Sequence, residues 1–505
     1  MRSMLSLILV IFFWVGLVTS QPETSVIDQS VAPVDAEDYF STEIQGDGEG
    51  PLCGQQNVSV YSSGFRRKDY KKVLKLSWEF LKAQRSGKIP EDYSVSWRKS
   101  SHEDDPVPGG WYDAGDYLKL NFPLAYSVAM ISWGMTEFKK GYVDSGVYCS
   151  SKEALRHAVT YLMDCHVSTN EYIGQIGHPG IDHSYWGRAH EQKTSRPKFV
   201  WKKGMKAADL FAKVSAALSA ASEVFEDDKS FSKSLVQHAK DLYDLAETSP
   251  GKYSSHYKSA TKIYSSSGWE DDMAWAAAWL YKVTNRKSYL KDSVKYWKKK
   301  YWGLSASWDS SGAMTAVLLY QLHQQGAPVK SFKRIENFVE NKFLDSWIKG
   351  KGEIIETPKG LSHPSWSSWG NLQLSTASAF LALSYVKHSS SNSLARKAIR
   401  WSRSQVDYAM GSSGRSFVVG FGKNYPKYPH HAGASCPDEP ATCNWSDFQS
   451  KKPNPQILYG ALVGGPSGPG DDTYNDERDD YITNEVAVDY NAAFTGALAA
   501  LIEMT

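Results

Sequence analysis

Residues 208–224 read ADLFAKVSAALSAASEV, and this stretch decides the architecture. Its apolar side chains recur at three- and four-residue spacing, the period of a helix and not of a strand. The Ala-rich run Ala216-Ala217-Leu218-Ser219-Ala220-Ala221 allows a neighbouring helix to approach closely, as concentric rings of helices require. Ala276-Ala277-Ala278 repeats the feature. Working outward, the same period returns from Tyr70 to Leu81, Ala125 to Phe138, Ala154 to Met163, Leu235 to Leu245 and Met273 to Val283. It continues from Ala313 to Leu322, Phe332 to Phe343, Leu374 to Val386, Leu394 to Tyr408 and Asn491 to Ile502. About a dozen helices at the intervals of a helical repeat, without a comparable set of alternating strands, predict an all-α fold.

The chain has 505 residues, 57 of them Lys or Arg and 55 Asp or Glu, for a formal charge of +2. That balance argues against a dedicated nucleic-acid binder, whose affinity rests on a basic excess. Hydrophobic residues at 41% and charged residues at 22% are enough for a sizeable core and too apolar for a disordered chain. The aromatic load is high, with 18 Trp, 29 Tyr and 19 Phe; it fits either a core or a stacking surface for flat ligands such as sugar rings. Five Cys exclude a disulfide-dense scaffold.

Residues 1–20 read as a secretory signal, with Arg2, an apolar run from Leu5 to Val18 and the small residues Thr19 and Ser20 before the cleavage point. Residues 21–50 carry eight acidic residues and no basic one, and form a flexible acidic leader. Without Arg2 and those eight acids the remaining body is +9. No other stretch has the length and apolarity of a transmembrane helix, so a soluble, extracellular protein with no membrane partner is expected. No Gly/Ser-rich or Pro-rich linker interrupts residues 51–505, which read as one domain. Sequons at Asn57 and Asn444 fit secretion. Cys436 and Cys443 share one loop and can close a short bridge; Cys149 and Cys165 can form another, leaving Cys53, but spacing does not fix the pairing.

Two loops carry paired chemistry. In GGWYDAGD (109–116), Asp113 and Asp116 lie between glycines and aromatics just before a helix that begins near Phe122. A turn built on Gly109, Gly110 and Gly115 can aim both carboxylates into one cleft, although a helix cap or a calcium loop has the same composition. Far along the chain, Glu485 lies between Asn484 and the apolar start of the final helix, where desolvation raises a carboxyl pKa; a first-turn Glu on the helix dipole is the plainer reading. Together they supply what glycoside hydrolysis needs: a charged carboxylate to activate water and a protonated one for the leaving group. Trp111, Tyr112, Tyr117, Tyr481 and Tyr490 stand beside these acids as candidate sugar platforms.

GGWYDAGD (109–116), SFVVGFGKNYPKYPHHAGASCP (416–437), YGALVGGP (459–466) and NEVAVDYNA (484–492) resemble glycoside hydrolase family 9, its animal endoglucanases in particular, across essentially all of 51–505. The resemblance implies an (α/α)6 barrel of twelve helices and inverting hydrolysis of β-1,4-glucan, a polysaccharide substrate. It assigns Asp116 as general base, Asp113 as its helper on the same water and Glu485 as general acid. His183, Trp186, Trp369, His430 and Tyr490 become cleft residues. No cofactor is needed for the chemistry, but some members hold a structural calcium, and Ser267, Gly268, Asp271, Asp272 and Asp309 resemble that site, with the shorter Asp272 where Glu is usual. Other departures are Ala432 and Gln373 where the family usually has Arg, and Tyr117 where His is common. They leave two further readings open: the same fold acting on mixed-linkage glucan, xyloglucan or an amino-sugar polymer, and a weakened glycan-binding protein. Oligomeric state is not legible.

Overall fold

A computed structural model describes residues 64–298 and 303–505. The signal, the acidic leader, Cys53 and the Asn57 sequon lie outside the described residues. Those residues hold twelve helices of seven residues or more: α1 (Arg67–Ala83), α2 (Asn121–Glu137), α3 (Tyr148–Asp164), α4 (Ala208–Val224), α5 (Lys229–Glu247), α6 (Glu270–Thr284), α7 (Lys287–Trp297), α8 (Gly312–Gln324), α9 (Phe332–Phe338), α10 (Asn371–His388), α11 (Asn392–Asp407) and α12 (Val488–Met504).

Burial sorts them into two rings. In α4 every residue but Glu223 is buried, and α2, α6, α8, α10 and α12 are nearly as enclosed. A helix that is apolar all round can lie only inside. These six close on one another: α2 packs on α4, α4 on α6, α6 on α8, α8 on α10, α10 on α12, and α12 returns to α2. The odd-numbered helices bury one face. In α11, Ala398, Trp401, Ser402, Gln405 and Val406 point inward while Arg396, Lys397 and Arg400 are exposed. The result is an (α/α)6 barrel. Small residues allow one close crossing: a Cβ on Gly134 of α2 would lie 2.9 Å from the Gly496 Cα of α12.

Helix α7 is absent from the sequence reading. Its buried set is confined to Tyr289, Leu290, Ser293, Val294, Tyr296 and Trp297, and lysines at 287, 291 and 295 interrupt the apolar period. The helix starting at Phe332 also runs further than expected, through a π segment (Val339–Leu344) into Asp345–Lys349. Strands are few: β1 (Lys119–Leu120), β2 (Glu171–Ile176) and β3 (Lys198–Lys202) form one antiparallel sheet, and β4 (Ile354–Glu356) pairs with β5 (Ser362–Pro364). Of the cysteines, Cys436 and Cys443 are joined. Cys165 keeps its thiol, buried, so the Cys149–Cys165 bridge does not form.

Candidate active site

The long loops gather where the inner helices begin. GGWYDAGD precedes α2, the Ser267–Trp269 turn precedes α6, Trp308 and Asp309 precede α8, Trp369 precedes α10 and Glu485 precedes α12. Helix N-termini carry partial positive charge, so this end of the barrel suits a cluster of acids.

Close backbone contacts stitch two of these loops, GGWYDAGD and the one carrying Glu485, to the loop of His430 and His431. Gly109 and Gly110 adopt φ of 87° and 78°, the left-handed region that favours glycine. Gly115 has a different reason: a Cβ there would sit 2.2 Å from the His430 carbonyl oxygen. The approach lets Ala432 N–H donate to Gly115 O (2.8 Å). His430 N–H in turn donates to Asn484 O (2.9 Å), and Val488 N–H to Asp113 O (2.9 Å). Gln84 completes the arrangement, donating to Ala114 O (2.6 Å) while His431 meets its Oε1 at 3.0 Å.

The three predicted acids come together on this frame. Asp113 is buried and accepts a hydrogen bond from the Tyr264 hydroxyl (2.7 Å). Burial chiefly, then the charges of Asp489 and Asp116, push its pKa well up. Asp116 is more open; its Oδ1 accepts from Leu118 N–H (3.2 Å) and its Oδ2 from His183 Nε2 (2.8 Å). That bond to Asp116 raises the His183 pKa against the effect of burial, so positive charge is favoured beside Asp116. Glu485 is half-buried and accepts from Trp369 Nε1 (2.7 Å) and the Tyr490 hydroxyl (3.2 Å). Both donors converge on Oε2, so among the described residues Oε1 is left to carry a proton. Burial raises its pKa to about 8; the two donors oppose the rise and the charges of Asp116 and Asp489 add to it.

The sequence reading gave Asp489 no role. It lies in the first turn of α12, buried, and burial lifts its pKa to about 7. Its Oδ1 has no hydrogen-bond partner among the described residues. Its charge acts on both Asp113 and Glu485. Asp182 is similar, pushed to about 6 by burial and then by Asp116, and tied by Tyr117 N–H (3.1 Å) and Gln192 Nε2 (3.1 Å).

The expected sugar platforms need correction. Trp111, Tyr112, Tyr117 and Tyr490 are all buried and offer no open face. Instead, ring contacts run from Trp369 to Tyr481 (5.6 Å), Tyr481 to His430 (6.2 Å), His430 to Trp186 (5.4 Å) and Trp186 to Trp445 (5.8 Å). Trp369, Tyr481 and Trp445 are 45%, 53% and 42% exposed, so they supply the open faces; Trp186 is mostly covered and donates to Ser435 Oγ (2.8 Å). Trp445 went unnoticed in the sequence because its only context there was a sequon. His430 Nδ1 donates to Arg478 O (2.6 Å), which turns Nε2 away from that carbonyl, and burial lowers its pKa, favouring the neutral ring.

At the substituted positions no guanidinium appears. Gln373 is buried and donates to the Tyr126 hydroxyl (2.9 Å), and Ala432 packs in a cluster with Tyr112, Tyr117, Trp186 and Ala189. Tyr117 donates to Gly187 O (2.5 Å). On the flank of the site, Ser267 N–H donates to Asp309 Oδ1 (2.8 Å), Ser266 Oγ to Gly268 O (2.7 Å), and Ser311 N–H to Asp271 Oδ2 (2.8 Å). Asp272 Oδ1 accepts from Ser311 Oγ (2.6 Å) and pairs with Lys213 Nζ (2.6 Å).

Comparison with known proteins bears on this geometry. The sequence profile described as "Glycosyl hydrolase family 9" matches residues 70–498. "Endoglucanase A" of Bacillus pumilus is 35% identical over 474 residues, 90% of this chain and 69% of that protein. The structure of an endoglucanase from the termite Nasutitermes takasagoensis superposes with a TM-score of 0.80 at 39% identity, covering 86% of this chain and 99% of that one. Endoglucanase CelQ from Clostridium thermocellum, solved with cellobiose and cellotriose, gives 0.75 at 34% identity, covering 86% of this chain and 70% of that one.

Proposed function

The chain belongs to glycosyl hydrolase family 9, and on that premise we propose that it is a secreted endo-β-1,4-glucanase in which Asp116, Asp113 and Glu485 carry an inverting hydrolysis. One observation supports the assignment most: Glu485, with a pKa of about 8, has no hydrogen-bond partner on Oε1 among the described residues, and Asp116, with His183 on its Oδ2, is close enough to bear on its charge.

The steps follow from those roles. A glucan chain lies along Trp369, Tyr481 and Trp445 and presents one glycosidic bond between the carboxyls. A water held by Asp113 and Asp116 attacks the anomeric carbon and loses its proton to Asp116. Glu485 gives its proton to the departing oxygen as the carbon–oxygen bond breaks. The new hydroxyl forms on the opposite face, and solvent returns a proton from Asp116 to Glu485. Tyr264 and His183 orient the two aspartates. Hydrolysis of soluble carboxymethyl-cellulose by the purified chain, with the fresh product anomer read by NMR, tests this. The α-anomer and at least a 10³-fold loss in Glu485→Gln are expected (on the order of the general acid–base contribution). Full turnover in that variant removes the acid assignment.

Ala432 and Gln373 favour a second reading within the same chemistry. Without two guanidinium forks the cleft holds sugar hydroxyls less tightly, and a related β-glycan can be the preferred chain. A polysaccharide panel with reducing-end readout separates the two, and cellulose as clearly the best substrate ends the second. The Cys436–Cys443 bridge and the apolar leader of residues 1–20 support secretion, and no helix among the described residues is long and apolar enough to cross a membrane.

A further inference from the structure

Every residue of helix α4 but Glu223 is buried, yet the helix carries Lys213 among its alanines. Its ammonium ends among the very residues that resemble a calcium site. Nζ lies 2.6 Å from Asp272 Oδ1 and donates to Ser311 Oγ (3.1 Å), and both partners are buried. The ring of Phe122 lies beneath it at 4.8 Å.

Calcium takes six to eight oxygens converging at roughly 2.3–2.6 Å. Here one oxygen of each carboxylate is already engaged by a donor of the chain itself: Asp271 Oδ2 by Ser311 N–H, Asp272 Oδ1 by Ser311 Oγ and Lys213, and Asp309 Oδ1 by Ser267 N–H, while the Gly268 carbonyl accepts from Ser266 Oγ. Among the described residues, the carboxylates of Asp271, Asp272 and Asp309 are not a set whose oxygens lie within 4.8 Å of one another. A dication added here would also meet the ammonium across a single carboxylate, a like-charge contact in a buried place.

We propose that Lys213 replaces a structural divalent cation, so that the turn before α6 is held by an internal ammonium and needs no metal. The consequence reaches the catalytic acids. Ser311 ties the start of α8 to Asp271 and Asp272, and the residues just before it carry Trp308 and Asp309. Trp308 packs on Tyr264 (4.7 Å between rings) and on Phe122 (6.1 Å), and Tyr264 holds Asp113.

Thermal unfolding tests this independently of any substrate. The purified full-length wild type is stripped with EDTA and compared with the same protein in millimolar calcium chloride. The same midpoint is expected in both; a midpoint that the chelator lowers and calcium restores overturns the proposal. Lys213→Met, which leaves Asp272 without its counter-charge, is expected to lower the midpoint by roughly 3–5 °C at neutral pH. An unchanged midpoint in that variant likewise overturns it. If Lys213→Met does not fold, the wild-type comparison decides alone. Failure of these tests leaves the hydrolase reading intact, because that reading stands on Glu485 and Asp116.

Discussion

One N–H opposes the burial that weakens Glu485 as an acid. Trp369 Nε1 donates to its Oε2 and stabilises the charged form, opposing the desolvation that lifts the pKa to about 8. Trp369→Phe removes that donor and keeps an aromatic face. The Glu485 pKa should therefore rise, moving the alkaline limb of the kcat/KM profile upward by about one pH unit, with kcat falling roughly tenfold because a weaker acid protonates the leaving group less readily. An unmoved limb would show that another group governs it. Tyr264→Phe acts on Asp113 in the same direction, and a fall in kcat of roughly ten- to a hundredfold with little change in KM is expected. At this scale much was legible. Asp113 and Asp116 stand out as acids between glycines and aromatics in a loop, and Glu485 as an acid at the apolar start of a helix; the family resemblance is what assigns their roles. Trp111, Tyr112 and Tyr117 were misread as platforms, since adjacency to an acid says nothing about which side of a loop a ring faces. Lys213 was missed because a lysine inside a helix reads as a solvent-facing residue until its distant carboxylate is in view.

Helix starts and the loops before them carry the next set of consequences. Gly115→Ala would drive a methyl into the His430 carbonyl, so the DAGD and His-His loops must part. Activity is expected to fall at least tenfold, with a stability loss of about 1–3 kcal/mol in urea titration; a variant with wild-type rates would show that the loops have slack. The first turn of α12 holds Asp489, whose folded pKa, about 7, lies above the usual carboxylate range. The native state thus binds this proton more tightly than the unfolded chain. Its contribution is fully present below about pH 4 and is lost as pH rises through 7. Asp489→Asn should therefore match the wild-type melting midpoint near pH 4.5 and exceed it near pH 8, by on the order of 2–4 °C. A constant offset across pH would refute the linkage. Ten of the outer and inner helices, with α12, were traceable from apolar period. Helix α7 was not, because its solvent face is a lysine ladder and its buried face only half of two or three turns.

The ring as a whole closes through its last helix. Nothing in the local period of α12 reveals that it packs against α2; that pairing joins distant parts of the chain and becomes visible only in three dimensions. The crossing depends on Gly134 and Gly496 meeting backbone to backbone. Gly134→Val should push the two helices apart and lower the melting midpoint by several degrees (roughly 2–4 kcal/mol of overpacking and strain), with hydrolysis and helicity lost in one transition during urea unfolding. Separate transitions would mean that the loops keep their arrangement without the ring. The same closure also brings Val488 N–H to the Asp113 carbonyl, so the proposed proton donor, Glu485, reaches the proposed acceptor, Asp116, only when the final stave is seated. A chain still emerging from the ribosome, or one stalled halfway to its native state, therefore has nothing with which to cut. Its chemistry is switched on by completion of the fold, and no polysaccharide meets a working blade before then.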